Sequence, residues 1–253
     1  MPTKPFKAAV LVNSPGTSPV DVAFRHAFLE RISAASPGAQ VDFFDPIESH
    51  TYPKVDVYDL IVLTGGGGEH DADAEGVAWI ERLKGFVGEM ERGRQKCVAV
   101  CWGHQVVQVA FGGTVGVMEE GECEIGVHEI VLTPEGSKFF SPLTSQAELE
   151  ELSTGRRQGL RIHQFHEREV KTPGRGFVAL AENNQCFVNE ANTMLTFQGH
   201  PEMDEALSKM LLERTKKEEG MDGEEIEVLE WKIRAAHDGE KIWATIVQWA
   251  REQ

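Results

Sequence analysis

The chain has 253 residues, 41% of them hydrophobic and 26% charged, so it can bury a substantial core without disulfide support. Acidic residues outnumber basic ones by 41 to 25, and the formal net charge of −16 repels nucleic acid and anionic membrane surfaces. Neither is therefore an expected partner.

The N-terminal part of the sequence alternates between predicted strands and predicted helices. The apolar run after Lys7 is too short for a signal peptide or a membrane span, and we predict a cytoplasmic protein. Apolar runs and helical spacing predict strands at residues 7–13, 41–44, 59–63 and 96–100, and helices at 20–32, 77–90 and 103–110. This alternation indicates βαβ units, and hence an α/β fold with a doubly wound, mostly parallel sheet.

The pattern changes in the C-terminal part of the chain. Short β runs at residues 113–133 and 161–197 predict hairpins and edge strands added to the sheet. Helical spacing returns at 203–216 and twice more between 224 and 252. Because no repeat, linker or boundary is visible, we predict one domain over residues 1–253 with a helical extension from about residue 203. The acidic runs of the chain, at 148–151 and 213–230, are interpreted as solvated helix faces.

A cysteine stands where the fourth predicted strand meets a helix. A sharp strand-to-helix turn needs small residues two positions before and after its central residue, and Ala99 and Gly103 meet this demand around Cys101. The adjacent helix N-terminus favours the thiolate, which makes Cys101 a candidate nucleophile. The remaining cysteines form no CxxC pair and are expected to be small buried hydrophobes: Cys97, Cys123 and Cys186.

A histidine and a glutamate follow another apolar strand, in the segment Gly199-His200-Pro201-Glu202. Residues two apart in extended backbone point to the same side, and the proline keeps His200 out of a helix. Glu202 can therefore orient one imidazole nitrogen while the other faces the thiol, as in a catalytic triad. A surface histidine beside a helix-opening glutamate is the alternative, and the turn at Cys101 favours the triad.

Five residues at the end of the third strand, Thr64 to Gly68, include four consecutive glycines. Such a run lets backbone N–H groups converge on an anion, and a tetrahedral intermediate needs two such donors. The N–H of Trp102, just after Cys101, is the expected second donor. A phosphate loop is disfavoured because no Gly-Lys-Ser/Thr follows, and a merely flexible loop is the remaining alternative.

These three segments, in this order, resemble the class I glutamine amidotransferase family. Its members carry a Gly-Gly oxyanion loop, a Gly-x-Cys-x-Gly-x-Gln turn and a late His-Pro-Glu, and the match runs from Lys7 to about Met203. The resemblance implies a flavodoxin-like fold and hydrolysis of a small γ-glutamyl amide through a γ-glutamyl thioester, without cofactor or metal. Ala99 in place of glycine, and Gly67 in place of a frequent proline, are departures from the pattern.

The resemblance also assigns roles to individual residues. Cys101 would be the nucleophile, His200 the general base and then acid, and Glu202 its orienter. The oxyanion would be held by the N–H groups of Gly66 and Trp102. The resemblance further implies contacts with the substrate from Gln105 and His166.

No synthetase domain follows the predicted triad. The chain therefore resembles the stand-alone subgroup of fungal GMP-synthase-like amidotransferases and plant γ-glutamyl peptidases. Three alternatives stay open: a glutaminase that passes ammonia to a separate synthetase subunit, a non-hydrolytic stress protein of the DJ-1 type, and a metal enzyme using His163 and His166. The loop at residues 13–16 lacks the carboxylate of the DJ-1 type, and the histidines lack further ligands at suitable spacing.

Overall fold

A seven-stranded sheet forms the centre of the protein, in a computed structural model that describes residues 4–14, 16–66, 69–119, 123–141, 157–219 and 223–252. The strands are β1 Lys7–Leu11, β2 Gln40–Phe44, β3 Leu60–Leu63, β4 Cys97–Val100, β5 Thr114–Val117, β6 Glu124–Val131, β7 Gly159–His166, β8 Arg168–Thr172, β9 Phe177–Ala179, β10 Cys186–Asn189 and β11 Met194–Phe197. The helices are α1 Pro19–Ala35, α2 Ala78–Arg92, α3 Trp102–Ala110, α4 Pro134–Phe139, α5 Glu205–Glu219, α6 Gly223–Ile233 and α7 Gly239–Arg251. The acidic run at 148–151 lies outside the described residues.

The central sheet has the order β2-β1-β3-β4-β11-β10-β9. Its first five strands are parallel, and β10 and β9 continue it as antiparallel strands. The prediction of a doubly wound, mostly parallel sheet with added hairpins is therefore confirmed.

Two of the predicted additions lie outside the central sheet. Strands β5 and β8 form one two-stranded antiparallel sheet, and β6 and β7 form another. In both sheets the partner strand is far away in the chain, whereas the expected hairpins would have joined neighbouring runs. Alternation within a short run shows that a strand is half-buried, but it carries no information about a distant partner.

The central sheet is covered by helices on both faces. Side chains alternate along the parallel strands, so Val10 and Val62 pack towards α1 and α7 while Leu11 and Leu63 pack towards α2 and α3. Because both faces are buried, these strands are continuous apolar runs, which is the sequence signature of a parallel sheet.

The last helix belongs to this core. Trp243 of α7 is fully buried, and its ring meets the ring of Phe28 of α1 edge-on at 5.9 Å between centroids. Helix α6 packs less closely, because Ile233 at its end is buried whereas Trp231 is 73% exposed. Helix α7 is therefore part of the core, whereas α6 leaves Trp231 largely outside it.

The parallel arrangement brings four loops to one edge of the sheet. Strands β1, β3, β4 and β11 end side by side, so the segments after Leu11, Leu63, Val100 and Phe197 meet there. Among the described residues, no helix is long and apolar enough to cross a membrane.

Candidate active site

Cys101 occupies the turn between β4 and α3 in a conformation that side chains rarely adopt, with φ 52° and ψ −112°. Backbone strain of this kind costs about 1–3 kcal/mol and is concentrated at functional sites. Close packing enforces the turn, since a Cβ atom at Gly103 would lie 2.6 Å from the carbonyl oxygen of Leu63. The predicted need for a small residue two positions after the cysteine therefore has a steric reason.

The glycine loop after β3 lies directly beside this turn. A Cβ atom at Gly65 would be 3.4 Å from Cβ of Cys101 and 3.1 Å from Cε1 of His200. Gly66 has φ 124°, and a Cβ there would lie 2.4 Å from the carbonyl oxygen of Asn13. Asn13 also fixes the loop, because its backbone N–H and side-chain amide both donate to Thr64 at 2.9 Å.

The loop thus brings glycine backbone close to the sulfur, as the oxyanion prediction requires. Trp102 is the first residue of α3, where backbone N–H groups lack intrahelical partners. Oxyanion binding by the N–H groups of Gly66 and Trp102 stays a prediction. Gly67 and Gly68 lie outside the described residues.

His200 and Glu202 form a buried pair in the segment after β11. Nδ1 of His200 lies 2.8 Å from Oε1 of Glu202, and the Glu202 side chain has no exposed surface. The backbone N–H of His200 donates to the carbonyl of His163 at 2.7 Å, which ties the segment to β7. On the other side, the ring of Phe24 packs against the imidazole at 5.8 Å between centroids.

The surroundings of His200 determine its ionisation. Burial is the largest single influence and lowers the pKa of His200, because an imidazolium loses hydration there. The charges of Cys101 and Glu202, together with their hydrogen bonds, outweigh burial and raise the pKa of His200 to about 10. The ring is therefore protonated at neutral pH, and it stands between a sulfur and a carboxylate.

A cavity of about 180 Å³ opens in front of this pair. One wall consists of the candidate catalytic elements, Thr64, Gly65, Gly66, Cys101 and His200. Other lining residues come from α1 and α5 and include three charged side chains together with a phenyl ring, namely Asp21, Arg25, Arg214 and Phe24. The arrangement places a thiol and an imidazolium beside a cavity, which is the kind of geometry that covalent acyl transfer uses.

The sequence matches a known protein family over most of its length. The family model described as glutamine amidotransferase class-I matches residues 20–216. The chain belongs to the class I glutamine amidotransferase family. The glutamine amidotransferase-like protein chyE of Penicillium rubens is 35% identical over 250 residues, which cover 97% of each chain.

More distant relatives of this class I amidotransferase include a named peptidase. Gamma-glutamyl peptidase 2 of Arabidopsis thaliana is 27% identical over 186 residues, which cover 71% of this chain and 68% of the relative. Among solved structures, a glutamine amidotransferase from Thermotoga maritima superposes with a TM-score of 0.66 at 17% identity, over 98% of this chain and 97% of the other. At that identity the superposition supports the flavodoxin-like fold alone.

Two predicted substrate contacts of this amidotransferase lie away from the cavity wall. Gln105 is buried, and its Nε2 donates to the carbonyl of Arg168 at 2.9 Å and to Oε1 of Gln198 at 3.2 Å. His166 is also buried, with its Nε2 3.0 Å from Oε2 of Glu124. The structure brings together Cys101 and His200 but holds Gln105 and His166 in a neighbouring polar network. Their contact with substrate stays a prediction.

The other cysteines differ from Cys101 in their surroundings. Cys97 and Cys186 are fully buried, and burial raises the pKa of both thiols, as expected for small hydrophobes. The same prediction is wrong for Cys123, which is exposed because it lies just before β6 and outside the core. Within the described part of the chain, no group of three or more His, Cys, Asp or Glu side chains could hold a metal ion.

Arg31 is a site residue that the sequence did not indicate. It lies on α1, and its Nε and Nη2 donate to the backbone carbonyls of Glu202 and Met203, each at 3.2 Å. Its Nη1 also pairs with Glu240 of α7 at 3.3 Å. The guanidinium therefore ties the segment that carries Glu202 to two helices. A helical arginine gives no sequence signal for such a role, since its partners are backbone carbonyls 171 and 172 positions away.

Proposed function

We propose that this class I amidotransferase hydrolyses γ-glutamyl amides through a thioester on Cys101. The observation that carries the proposal is the placement of Cys101 on a strained turn beside the buried His200–Glu202 pair. The family membership and the peptidase relative support the γ-glutamyl class of substrate. The proposal requires that the γ-carbonyl carbon reaches Sγ of Cys101 inside the cavity.

The first half of the reaction forms the thioester. The Cys101 thiolate attacks the γ-carbonyl carbon, and the resulting oxyanion is held by backbone N–H groups of Gly66 and Trp102. The carbon–nitrogen bond then breaks, and the departing amine takes the proton of the His200 imidazolium. Protonation by His200 fits its raised pKa, because the acid form is present at neutral pH. Glu202 keeps the imidazole ring in its orientation throughout.

The second half of the reaction restores the enzyme. After the amine has left, His200 is neutral and accepts a proton from water, whose oxygen attacks the thioester carbon. The carbon–sulfur bond breaks, glutamate is released, and the Cys101 thiolate again faces an imidazolium. No net oxidation occurs, and water is the only co-reactant.

The test is an assay of glutamate release from L-glutamine, glutathione and γ-glutamyl p-nitroanilide. We expect release by the wild type and by Cys123→Ala, a control at an exposed cysteine, and loss of release in Cys101→Ala. Equal release by Cys101→Ala would contradict the proposed nucleophile. No release by the wild type from any of the three would overturn stand-alone hydrolysis and favour the predicted ammonia transfer to a separate synthetase subunit.

A further inference from the structure

The cavity beside Cys101 is lined in part by a charged region that takes no part in the proposed reaction. This region consists of Asp21 and Arg25 of α1 and Arg214 of α5, which face the cavity with Cys101 and His200. With two guanidinium groups and one carboxylate, it has a net positive charge. An anionic group in the cavity would therefore be attracted towards this region.

Arg25 has hydrogen-bonding capacity to spare. Its Nε is buried and has no hydrogen-bond partner among the described residues. Buried donors in native proteins are nearly always paired with protein or with water. Because Arg25 also lines the cavity, its unpaired N–H and its position together point to a ligand there. A guanidinium group is suited to carboxylates in particular, because its planar fork matches their two oxygens.

Asp21, in contrast, is already satisfied. Its carboxylate accepts hydrogen bonds from the hydroxyl groups of Ser14 and Ser18, and the backbone N–H of Ser18 donates to it at 3.0 Å. The bond from the Ser18 backbone N–H, together with the bond that the Asp21 backbone N–H donates to Oγ of Ser18 at 3.3 Å, forms the N-terminal capping box of α1. Burial raises the pKa of the Asp21 carboxyl, but the hydrogen bonds from Ser14 and Ser18, with a smaller contribution from the charge of Arg214, outweigh it and hold the pKa below the usual range. The groups of this region that remain available to bind a ligand are therefore mainly the two guanidinium groups.

The position of Arg25 identifies which part of a substrate it would meet. Phe24, the preceding residue, packs against the ring of His200, and both residues line the cavity. In the proposed reaction His200 gives its proton to the departing amine, so the leaving group lies on the His200 side of the sulfur. Gln105 and His166, the predicted contacts of the glutamyl unit, are not among the residues that line this cavity. The charged region therefore faces the leaving group.

We infer that Arg25, assisted by Arg214, binds the carboxylate of the leaving amino acid or peptide. This inference rests on the proposed function and narrows it to γ-glutamyl amino acids and peptides, in which the amine portion carries a carboxylate. Free glutamine, whose leaving group is ammonia, offers no leaving-group carboxylate to this subsite. Asp21 keeps α1 capped, and Arg25 lies one helical turn further along α1.

The test compares γ-glutamylglycine with γ-glutamylglycinamide, which differ only in the leaving-group carboxylate. We expect the wild type to have the higher kcat/KM for γ-glutamylglycine. Arg25→Gln should lose roughly tenfold on this substrate, the effect of about one charge-assisted hydrogen bond, and less than about twofold on the amide. Arg25→Lys should restore part of the loss, and Arg92→Gln, an exposed arginine of α2, should change neither value. Activity of Arg25→Gln on the amide shows that the variant is folded.

A binding measurement separates this inference from the proposed function. Calorimetry on Cys101→Ala should show tighter binding of γ-glutamylglycine than of the glycinamide, and a second substitution, Arg25→Gln, should abolish the difference. Such a preference without turnover would support the subsite although hydrolysis had failed. If Arg25→Gln lost the same factor of kcat/KM on both substrates, the subsite would be overturned and the proposed hydrolysis would stand. Arg25 would then contact the glutamyl unit or only stabilise the fold. Absence of any preference in either measurement would also overturn it.

Discussion

Nδ1 of His200 donates to Oε1 of Glu202 at 2.8 Å, and both side chains are buried. The second carboxylate oxygen of Glu202, Oε2, is also buried and has no hydrogen-bond partner within the described part of the chain. A buried carboxylate with few other hydrogen bonds is stabilised mainly by the positive charge of its histidine. The carboxylate in turn stabilises the charged form of the histidine. The pair is therefore both a structural element and the orienting part of the proposed triad.

Replacing Glu202 with glutamine should greatly reduce catalysis while leaving the shape of the site intact. The amide no longer stabilises the imidazolium, and it can present an N–H group to Nδ1, which favours the wrong tautomer. We expect kcat for γ-glutamyl substrates to fall by a factor on the order of 10² to 10⁴, the range for orienting carboxylates in triads. Glu205→Gln, three residues further on and exposed, is the control and should retain wild-type rates. A fall of less than about threefold in Glu202→Gln would argue against the triad.

The raised pKa of His200 predicts a definite dependence of stability on pH. The pKa in the folded protein is about 10 against an ordinary value of 6.5, so folding favours the protonated ring. The resulting stabilisation is fully present below pH 6.5 and is lost progressively as the pH rises towards 10. Urea unfolding of the wild type and of His200→Gln over this range should show the difference in unfolding free energy shrinking with pH. Parallel curves for the two proteins would contradict the ionisation described for His200.

The turn at Cys101 should not tolerate a side chain at position 103. A methyl group there would press on the carbonyl oxygens of Leu63 and Thr64, which belong to backbone and cannot move aside without distorting the sheet edge. Gly103→Ala should lower the unfolding free energy by about 1–3 kcal/mol and misplace the nucleophile. Gly85→Ala in α2 is the matched control, because its new methyl group meets only the end of the Arg82 side chain at 3.9 Å. That control should stabilise the protein by about 0.5–1 kcal/mol, as measured by denaturant unfolding.

Arg31 should act as a positioning residue for Glu202. In Arg31→Met the two hydrogen bonds to backbone carbonyls are lost, and the segment that carries the carboxylate becomes less firmly held. We expect kcat to fall roughly tenfold with little change in KM, because the substitution disturbs the orientation of Glu202 rather than the binding of substrate. Glu240→Gln removes only the exposed ion pair with Arg31 and should have little effect. A rise in KM with unchanged kcat would place Arg31 in substrate binding instead.

Much of the fold could be predicted because its signals are local. Strands β1, β3 and β4 are buried on both faces and are therefore uninterrupted apolar runs, and the turns after them carry the glycines and the cysteine. The candidate triad was predictable for the same reason, since Cys101 and the His200–Glu202 pair each lie at the end of such a strand. The prediction of a single domain over residues 1–253 stays a prediction.

The residues of the cavity wall were not predictable from their local sequence. Helix α1 packs against the sheet, against α7 and against α5, so its apolar residues do not form one clear stripe. Arg25 and Arg31 on this helix therefore look like ordinary surface arginines, although both reach the site. The partners of β5 and β6 were missed because strand pairing depends on segments far away in the chain. Cys123 was assigned to the core from residue type alone, and its place just before β6 exposes it.

The most direct test of the account is to trap the acyl-enzyme. The protein is mixed with a γ-glutamyl substrate, quenched in acid within one turnover and digested, and the peptides are examined by mass spectrometry. The account predicts one added γ-glutamyl group on the peptide that contains Cys101, sensitive to hydroxylamine as a thioester is, and its absence in Cys101→Ala. Glutamate release that continues in Cys101→Ala, without any adduct on the wild-type cysteine, would contradict the account.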